Sequence, residues 1–288
     1  MNARVISLAY LRMGAESLDK WVDFAERFFG AMVAEHSDDR LLLRLDHYTY
    51  RFDIRPAEIG GVQAVAWEVK GPRELAEIRG RVTDAGYEVS DLDADQIAER
   101  RISGGFTFRD PDDNYDLEII WGLKSEVARF SSKLGAEFVA GDLGLGHLFQ
   151  VVTSEETYAQ LYFDIFGFHL SDHIDFPGAV GVFTHCNPRH HSFAFSENTA
   201  RPPGIGHFMI ETTELDIVGR TMDLVDEEGV KVVQTFGKHT NDKMVSLYFI
   251  TPSDVAVEFG TGGILIDDET WRPVRYDAAH YWGHKRDN

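Results

Sequence analysis

An internal repeat constrains the fold of this 288-residue chain more than any other feature of its sequence. Two stretches show the same order of apolar strand, amphipathic helix and further strands. The pattern predicts two βαβββ units in each stretch. Short strands of this kind cannot bury both faces alone, so two units that pair into one curved sheet would enclose a cavity. We therefore predict an α+β fold of tandem βαβββ modules, with two similar domains that each form a curved, barrel-like sheet.

In the first half, apolar residues at helical spacing and residues typical of helix ends predict two helices. One covers residues 17–29, with Ser17 as N-cap and Gly30 as C-cap, and the other covers 73–84 and stops at Gly86. Strands are predicted at 6–11, at 41–54 with a turn near Asp46, and at 65–69, 106–109 and 115–120.

The second half repeats this order of elements. Helices are predicted at 156–165, before Gly167, and at 214–226, before Gly229. Strands are predicted at 147–152, 180–185, 192–195, 207–211, 245–250 and 255–259. A mixed polar segment at 124–142 is interpreted as the linker between the halves, and residues 264–288 as a tail.

Composition limits the partners and the compartment. The net charge of −20 repels nucleic acid and anionic membranes, so neither is an expected partner. Cys186 is the single cysteine, which excludes an intrachain disulfide and agrees with a reducing compartment. The sequence shows no signal-peptide pattern and no apolar run of the roughly 18–20 residues that span a bilayer. We expect a soluble cytoplasmic protein.

Three residues of metal-binding types occupy strands of the second half. His147 and His207 each follow a glycine and open a predicted strand, and Glu258 lies in the final strand. Two imidazoles and one carboxylate on one face leave half of an octahedron open, as non-haem iron(II) oxygenases require for substrate and O₂. A lone histidine at the start of a strand is more often structural, so the prediction of a metal site depends on a comparison of the two halves.

The first half lacks this set of residues. Tyr10 occupies the position of His147, and the position of His207 falls near Ala66. Only Glu118 matches the carboxylate, and we interpret it as a solvent-facing or hydrogen-bonded strand residue. We therefore predict an N-terminal domain without metal ligands at residues 1–135 and a catalytic, metal-binding domain at 136–288.

Further titratable residues belong to the same half. They lie in the segments 189–192 (RHHS) and 237–242 (GKHTND) and at Tyr248. Histidine exchanges protons near neutral pH, and tyrosine can donate a hydrogen bond to a bound oxygen anion. Any one of them could equally be a polar residue of the core, but their concentration in one half favours a site.

The segments 187–195 (NPRHHSFAF), 204–209 (GIGHFM) and 237–263 (GKHTNDKMVSLYFITPSDVAVEFGTGG) carry a family resemblance. The chain resembles the type I extradiol dioxygenases of the vicinal oxygen chelate superfamily, in particular the 2,3-dihydroxybiphenyl 1,2-dioxygenase group, over nearly its whole length. The resemblance implies Fe(II)-dependent ring cleavage of a catechol by O₂, in a homo-oligomer that serves aromatic-hydrocarbon breakdown. The same ligand set also accepts Mn(II).

By position, the resemblance also implies a role for each site residue. It implies metal binding by His147, His207 and Glu258, acid–base chemistry by His191, hydrogen bonds to the catechol oxygens from His239 and Tyr248, and a supporting role near His239 for Asp242. Two departures from the family pattern are Asp254, in a turn that usually holds Gly or Pro, and a segment at 172–182 that is shorter than the loop of close relatives.

Two other functions remain open on the residues alone. The first is another metal-dependent enzyme on the same fold, such as an isomerase, a lyase or a thiol transferase. The second is a non-catalytic protein that binds an aromatic ligand. Apolar residues near the motifs suit a bicyclic or substituted catechol such as 2,3-dihydroxybiphenyl, although alternation along strands makes them equally suited to a core. They are Phe176, Phe183, Phe193, Phe208 and Met209.

Overall fold

A computed structural model describes residues 3–286, and it contains two curled sheets of eight and ten strands. The strands of the first half are β1 (Val5–Ala15), β2 (Met32–His36), β3 (Leu41–Arg44), β4 (Phe52–Pro56), β5 (Gly61–Val69), β6 (Ser90–Asp91), β7 (Gly104–Arg109) and β8 (Asp116–Trp121). Its helices are α1 (Leu18–Phe24, continued by a π-helical turn at Ala25–Phe29), α2 (Pro72–Asp84) and α3 (Ala94–Glu99).

The second half has the same plan with additional edge strands. Its strands are β9 (Leu148–Val152), β10 (His169–Phe176), β11 (Ala179–His185), β12 (Phe193–Glu197), β13 (Gly204–Glu211), β14 (Val232–His239), β15 (Val245–Ile250), β16 (Ala256–Thr261), β17 (Val274–Tyr276) and β18 (His280–Trp282). Its helices are α4 (Glu155–Ala159, continued by a π-helical turn at Gln160–Ile165) and α5 (Leu215–Glu227).

The strand order confirms the predicted tandem repeat. The first sheet runs β2-β3-β4-β1-β5-β8-β7-β6, and the second runs β17-β10-β11-β12-β9-β13-β16-β15-β14-β18. In each sheet the two βαβββ modules meet through one antiparallel pair, β1 with β5 and β9 with β13. This pairing makes each sheet continuous across its two modules and lets it curl around one concave face.

The helix ends follow the predicted residues. The Ser17 hydroxyl accepts a hydrogen bond from the backbone N–H of Lys20 at 3.2 Å, which satisfies one of the free amides of the first turn of α1. Gly30 ends the π-helical turn with a φ of 76°, a left-handed conformation that glycine adopts without a Cβ clash. None of the helices between residues 3 and 286 has the length and apolar content needed to cross a membrane.

The two halves share one hydrophobic core. Phe29, after α1, packs against Phe249 and Phe259 of the second sheet with ring centroids 6.1 Å and 5.6 Å apart. Trp67 of β5 packs edge-on against Tyr162 of the second half at 5.9 Å. Burial of an aromatic side chain of this size contributes about 2 kcal/mol, so contacts between the halves stabilise both. The division at residues 135 and 136 stays a prediction.

The sequence prediction was incomplete at the sheet edges. It missed β2, β6, β10, β14, β17, β18 and the helix α3. The strand β10 carries charged residues at several positions, and β17 and β18 are three residues long, so their sequences lack a strand periodicity. We expected the segment 172–182 to be a loop. It forms most of a hairpin instead, and the turn of this hairpin lies at Pro177 and Gly178.

Candidate metal centre and active site

Three neighbouring strands of the second sheet present the predicted metal ligands. His147 directly precedes β9, His207 lies in β13, and Glu258 lies in β16, which pairs with β13. Gly146 permits the close approach of β9 and β13, because a Cβ there would lie 1.9 Å from the carbonyl oxygen of Met209. The structure therefore brings together three side chains that lie on separate strands and are far apart in the sequence.

The three ligand atoms form a small triangle. Nε2 of His147 lies 3.1 Å from Oε2 of Glu258 and 3.3 Å from Nε2 of His207, and the third side of the triangle measures 3.4 Å. An octahedral ion with bonds of roughly 2.1 Å has cis ligands roughly 3 Å apart, so one ion can contact all three atoms. The donor set thus fits a divalent metal that is held on one face and open on the other.

Glu258 is the electrostatic centre of the site. It is buried, and Ser246 donates a hydrogen bond to its Oε1 at 2.6 Å. Burial alone would raise the pKa of Glu258, but hydrogen bonds from His147, His207 and His239 hold this pKa well below the ordinary value of 4.5. Burial also lowers the pKa of His147 to about 4, so the imidazole is neutral near pH 7, which is the form that binds metal ions.

His239 and Tyr248 lie together beside Glu258. Nε2 of His239 is 2.8 Å from the Tyr248 hydroxyl and 3.2 Å from Oε1 of Glu258, and its Nδ1 donates to the carbonyl of Ala279 at 3.1 Å. Burial would lower the pKa of His239, but the hydrogen bond and charge of Glu258, with a smaller contribution from Asp242, raise it to about 9. The pair presents polar hydrogens to the cavity next to the triangle of ligands.

His191 belongs to a chain of hydrogen bonds that fixes its tautomer. Nε2 of His190 lies 2.7 Å from the Asp172 carboxylate, and the Nδ1 atoms of His190 and His191 are 3.1 Å apart. A neutral His190 that donates from Nε2 to Asp172 must accept at Nδ1, so His191 donates from Nδ1 and has its lone pair on Nε2. His191 is buried against His147, with ring centroids 3.8 Å apart, and lines the cavity.

Asp242 lies on the side of His191 as well as near His239. Its carboxylate is 3.9 Å from Nδ1 of His191 and accepts a hydrogen bond from the backbone N–H of Met244 at 3.0 Å. Its supporting role near His239 stays a prediction. Asp254, the departure in the turn before β16, has a φ of 58°, a left-handed conformation that explains why glycine suits this position.

In the first half, an arginine side chain binds the carboxylate that corresponds to Glu258. Glu118 is buried, accepts two hydrogen bonds from Arg100 at 3.0 Å and 2.8 Å, and accepts one from the Tyr10 hydroxyl. Tyr10 pairs with Ala66, and the matching registers of β5 with β8 and of β13 with β16 place Ala64 at the position of His207. Glu118 is thus hydrogen-bonded and not solvent-facing, and a guanidinium balances its charge.

A cavity of about 820 Å³ adjoins the ligand triangle. Phe176 of β10 and Phe183 of β11 line it, whereas Phe193 and Phe208 are packed in the core. Met209 is also buried. The volume lies within the range of roughly 300–1,000 Å³ of small-molecule sites, and the aromatic lining suits a flat apolar ring. The segment 172–182 therefore lines the cavity as expected, but it does so as part of the strands β10 and β11 and not as a loop.

Comparison with known proteins identifies the family. Residues 144–259 match the Glyoxalase/Bleomycin resistance protein/Dioxygenase superfamily, and residues 8–57 match the family described as Dihydroxybiphenyl dioxygenase BphC D1. An iron-dependent extradiol dioxygenase of Rhodococcus jostii (strain RHA1) is 36% identical over 290 residues, 96% of each chain. The chain belongs to the extradiol dioxygenases. The prediction of a ring-cleaving oxidoreductase is thereby confirmed over the isomerase, lyase, transferase and non-catalytic alternatives.

Other relatives of this extradiol dioxygenase agree over the full length. A biphenyl-2,3-diol 1,2-dioxygenase of Paraburkholderia xenovorans (strain LB400) is 36% identical, with 97% of this chain and 95% of the relative covered. The crystal structure of 2,2',3-trihydroxybiphenyl 1,2-dioxygenase from Sphingomonas wittichii strain RW1 superposes with a TM-score of 0.88 at 32% identity, covering 98% of this chain and 100% of that one. These matches confirm the predicted fold of two curled sheets.

Four residues that shape the site were given no role from the sequence. Asp172 and His190 orient His191, Ser246 holds Glu258, and His284 stacks on His239 with ring centroids 4.1 Å apart. The adjacent histidines 190 and 191 were a signal for His190. Asp172 and Ser246 carried none, because their importance depends on contacts across strands.

Proposed function

We propose that this extradiol dioxygenase opens the aromatic ring of a catechol with O₂, using a divalent iron held by His147, His207 and Glu258. The observation that carries the proposal is the convergence of two imidazole nitrogens and one carboxylate oxygen, 3.1–3.4 Å apart, in the wall of an aromatic-lined cavity. The iron dependence of the Rhodococcus relative supports the choice of metal.

Bound iron would supply the Lewis acidity and the redox chemistry that let a catechol react with O₂. The side chains around it manage protons and geometry. The Tyr248 hydroxyl and Nε2 of His239 are placed to hydrogen-bond the two catechol oxygens and so to fix the ring orientation. Burial of the site keeps bulk water away from the reacting atoms.

His191 is the proposed acid–base residue. Its Nδ1 is engaged by His190, so its unprotonated Nε2 is the nitrogen available to the cavity. That atom can take up a proton released by the substrate and return it to an oxygen atom when the O–O bond breaks. The Asp172–His190 pair holds the ring in the orientation that this exchange requires, and the Asp242 carboxylate lies 3.9 Å from Nδ1 of the ring.

The substrate is proposed to be a bicyclic or substituted catechol, such as 2,3-dihydroxybiphenyl. The support is a cavity of about 820 Å³ lined by Phe149, Phe176 and Phe183, and the relatives named for biphenyl-2,3-diol and 2,2',3-trihydroxybiphenyl. We also propose a cytoplasmic homo-oligomer that binds neither nucleic acid nor membranes. Light scattering after size-exclusion chromatography tests the assembly.

The direct test is anaerobic reconstitution with Fe(II), followed by addition of O₂ and a panel of one-ring and two-ring catechols. We expect O₂ uptake together with a yellow hydroxy-oxo-dienoate product, and a higher kcat/KM for two-ring substrates. Parallel reconstitution with Mn(II) decides between the two metals that the ligand set accepts. Tight catechol binding by iron-loaded protein without O₂ uptake would refute the proposal.

A further inference from the structure

A second cluster of metal-binding side chains lies where the tail crosses the β10–β11 hairpin. His169 and His185 face each other across the hairpin as a registered pair, and Asp268 of the tail approaches both. Oδ1 of Asp268 is 2.8 Å from Nε2 of His185 and 3.2 Å from Nδ1 of His169. These side chains lie outside the set that lines the catalytic cavity.

The hydrogen bonds around Ser171 fix the tautomer of His185. The Ser171 hydroxyl donates its single proton to the backbone carbonyl of His190 at 2.5 Å. It can therefore only accept from Nδ1 of His185, which lies 2.7 Å away, so this nitrogen carries the proton. A neutral His185 then directs the lone pair of Nε2 at the Asp268 carboxylate.

Two electron-rich atoms 2.8 Å apart require a positive charge near both of them. A proton on Nε2 of His185 would bridge only this nitrogen and the Asp268 carboxylate. A divalent ion would bind both of these atoms and also Nδ1 of His169. Two imidazole nitrogens and one carboxylate oxygen are a donor set typical of zinc, with a fourth position for water. Ser171 then has the role of the hydrogen-bonded partner that orients a metal-binding histidine.

We propose that His169, His185 and Asp268 form a structural site for a divalent transition-metal ion of the zinc class. His185 is buried, while the side chains of His169 and Asp268 are about half exposed, with relative accessibilities of 52% and 49%, so an ion can enter from solvent without passing through the catalytic cavity. The strongly negative protein also concentrates cations at its surface.

The site links the tail to the residues behind His191. Near Asp268, the Trp271 indole donates to the carbonyl of Ser171 at 2.8 Å, and its ring lies edge-on to His190 at 5.5 Å. The backbone N–H of Val274 donates to Asp172 at 2.7 Å. A metal that holds Asp268 against the hairpin therefore stabilises the segment that covers Asp172 and His190.

The test uses protein with iron already in the catalytic centre. Wild type, His169→Ala and Asp268→Asn are each titrated with Zn(II), and bound zinc and iron are counted by mass spectrometry after gel filtration. We expect wild type to bind one zinc in addition to its iron and to gain thermal stability with zinc concentration. Each variant should bind zinc at least about tenfold more weakly, with its iron content unchanged.

His36→Ala is the matched control, because His36 forms a surface pair with Asp19 at 3.2 Å and should not contribute to this site. Its zinc binding is expected to equal that of wild type. His169→Ala removes a half-exposed side chain and keeps the proposal testable if Asp268→Asn folds poorly. Equal zinc binding by wild type and His169→Ala, or wild-type protein that binds no zinc beyond the catalytic centre, overturns the proposal.

Discussion

The Nδ1 atoms of His190 and His191 lie 3.1 Å apart, so only one of the two can carry a proton. Asp172 decides which one, because its carboxylate accepts from Nε2 of His190 and thereby makes Nδ1 of His190 the acceptor. The protonation of His191 in the cavity is therefore set by a carboxylate two residues away along the hydrogen-bond chain.

The Asp172→Asn variant should reverse this chain. The amide N–H₂ of asparagine donates to Nε2 of His190, which moves the proton of His190 to Nδ1 and that of His191 to Nε2. We expect kcat to fall by about 10- to 100-fold while the iron content and KM change little. Steady-state kinetics and iron analysis check this, and unchanged kcat in a fully folded variant would contradict the proposed hydrogen-bond chain.

His191→Ala should lose turnover and retain metal. The ring contacts His147 but lies outside the ligand triangle, so iron binding does not depend on it. Loss of a general acid–base group is expected to lower kcat by about 100-fold or more. Iron content and O₂ uptake are measured together, and cleavage at the normal rate would show that another group moves the proton.

Glu258→Gln and Glu118→Gln form a matched pair at equivalent strand positions. Glutamine at 258 removes the negative ligand, so we expect iron content and activity to be lost. Glutamine at 118 breaks a buried pair with Arg100 and should lower the free energy of unfolding by about 3 kcal/mol while iron remains bound. Iron analysis and urea unfolding distinguish the two, and iron loss in both variants would argue against a metal site in the second half alone.

Asp53 should contribute to the fall in the free energy of unfolding at acid pH. This buried carboxylate accepts hydrogen bonds from Arg12, Arg40 and Arg55 at 2.8–3.2 Å. Burial alone would raise the pKa of Asp53, but hydrogen bonds and charges of the three arginines hold it below 3.8.

A lowered pKa means that the stabilisation is complete above the ordinary value and is lost as the pH falls below it. Asp53→Asn should therefore destabilise the protein by about 3 kcal/mol near neutral pH and by less in acid. Urea unfolding from neutral pH down to about pH 3 checks this. An equal loss at every pH would mean that Asp53 acts through packing and not through its charge.

Gly181→Ala should change the substrate preference. A Cβ at Gly181 would lie 2.5 Å from Cε2 of Phe176 and 3.0 Å from Cε2 of Phe183, so both rings must shift against the cavity. We expect kcat/KM for two-ring catechols to fall about tenfold more than for catechol itself. Gly219→Ala on α5 meets no neighbouring atom within 4 Å and serves as the control. If Gly181→Ala lowered kcat/KM equally for both substrates, the Phe176 and Phe183 side chains would not contact the second ring of a two-ring catechol.

The repeat and the helix caps were predictable because they depend on neighbours along the chain. Ser17 needs only the amide of Lys20, and Gly30 needs only its own φ. The edge strands β17 and β18 were not predictable, since a segment of three residues becomes a strand only when a sheet edge offers it free backbone groups.

By itself the sequence determined the two halves, the family and the candidates His147, His207 and Glu258, which strand patterns and motifs mark directly. Only the tertiary structure decided that their donor atoms lie 3.1–3.4 Å apart, that Asp172 sets the tautomer of His191, and that Arg100 balances Glu118. The physical reason is how far apart in the sequence the interacting residues lie. Local propensities are set within a few residues, whereas hydrogen bonds and charges act across strands that the chain brings together only when the sheets close.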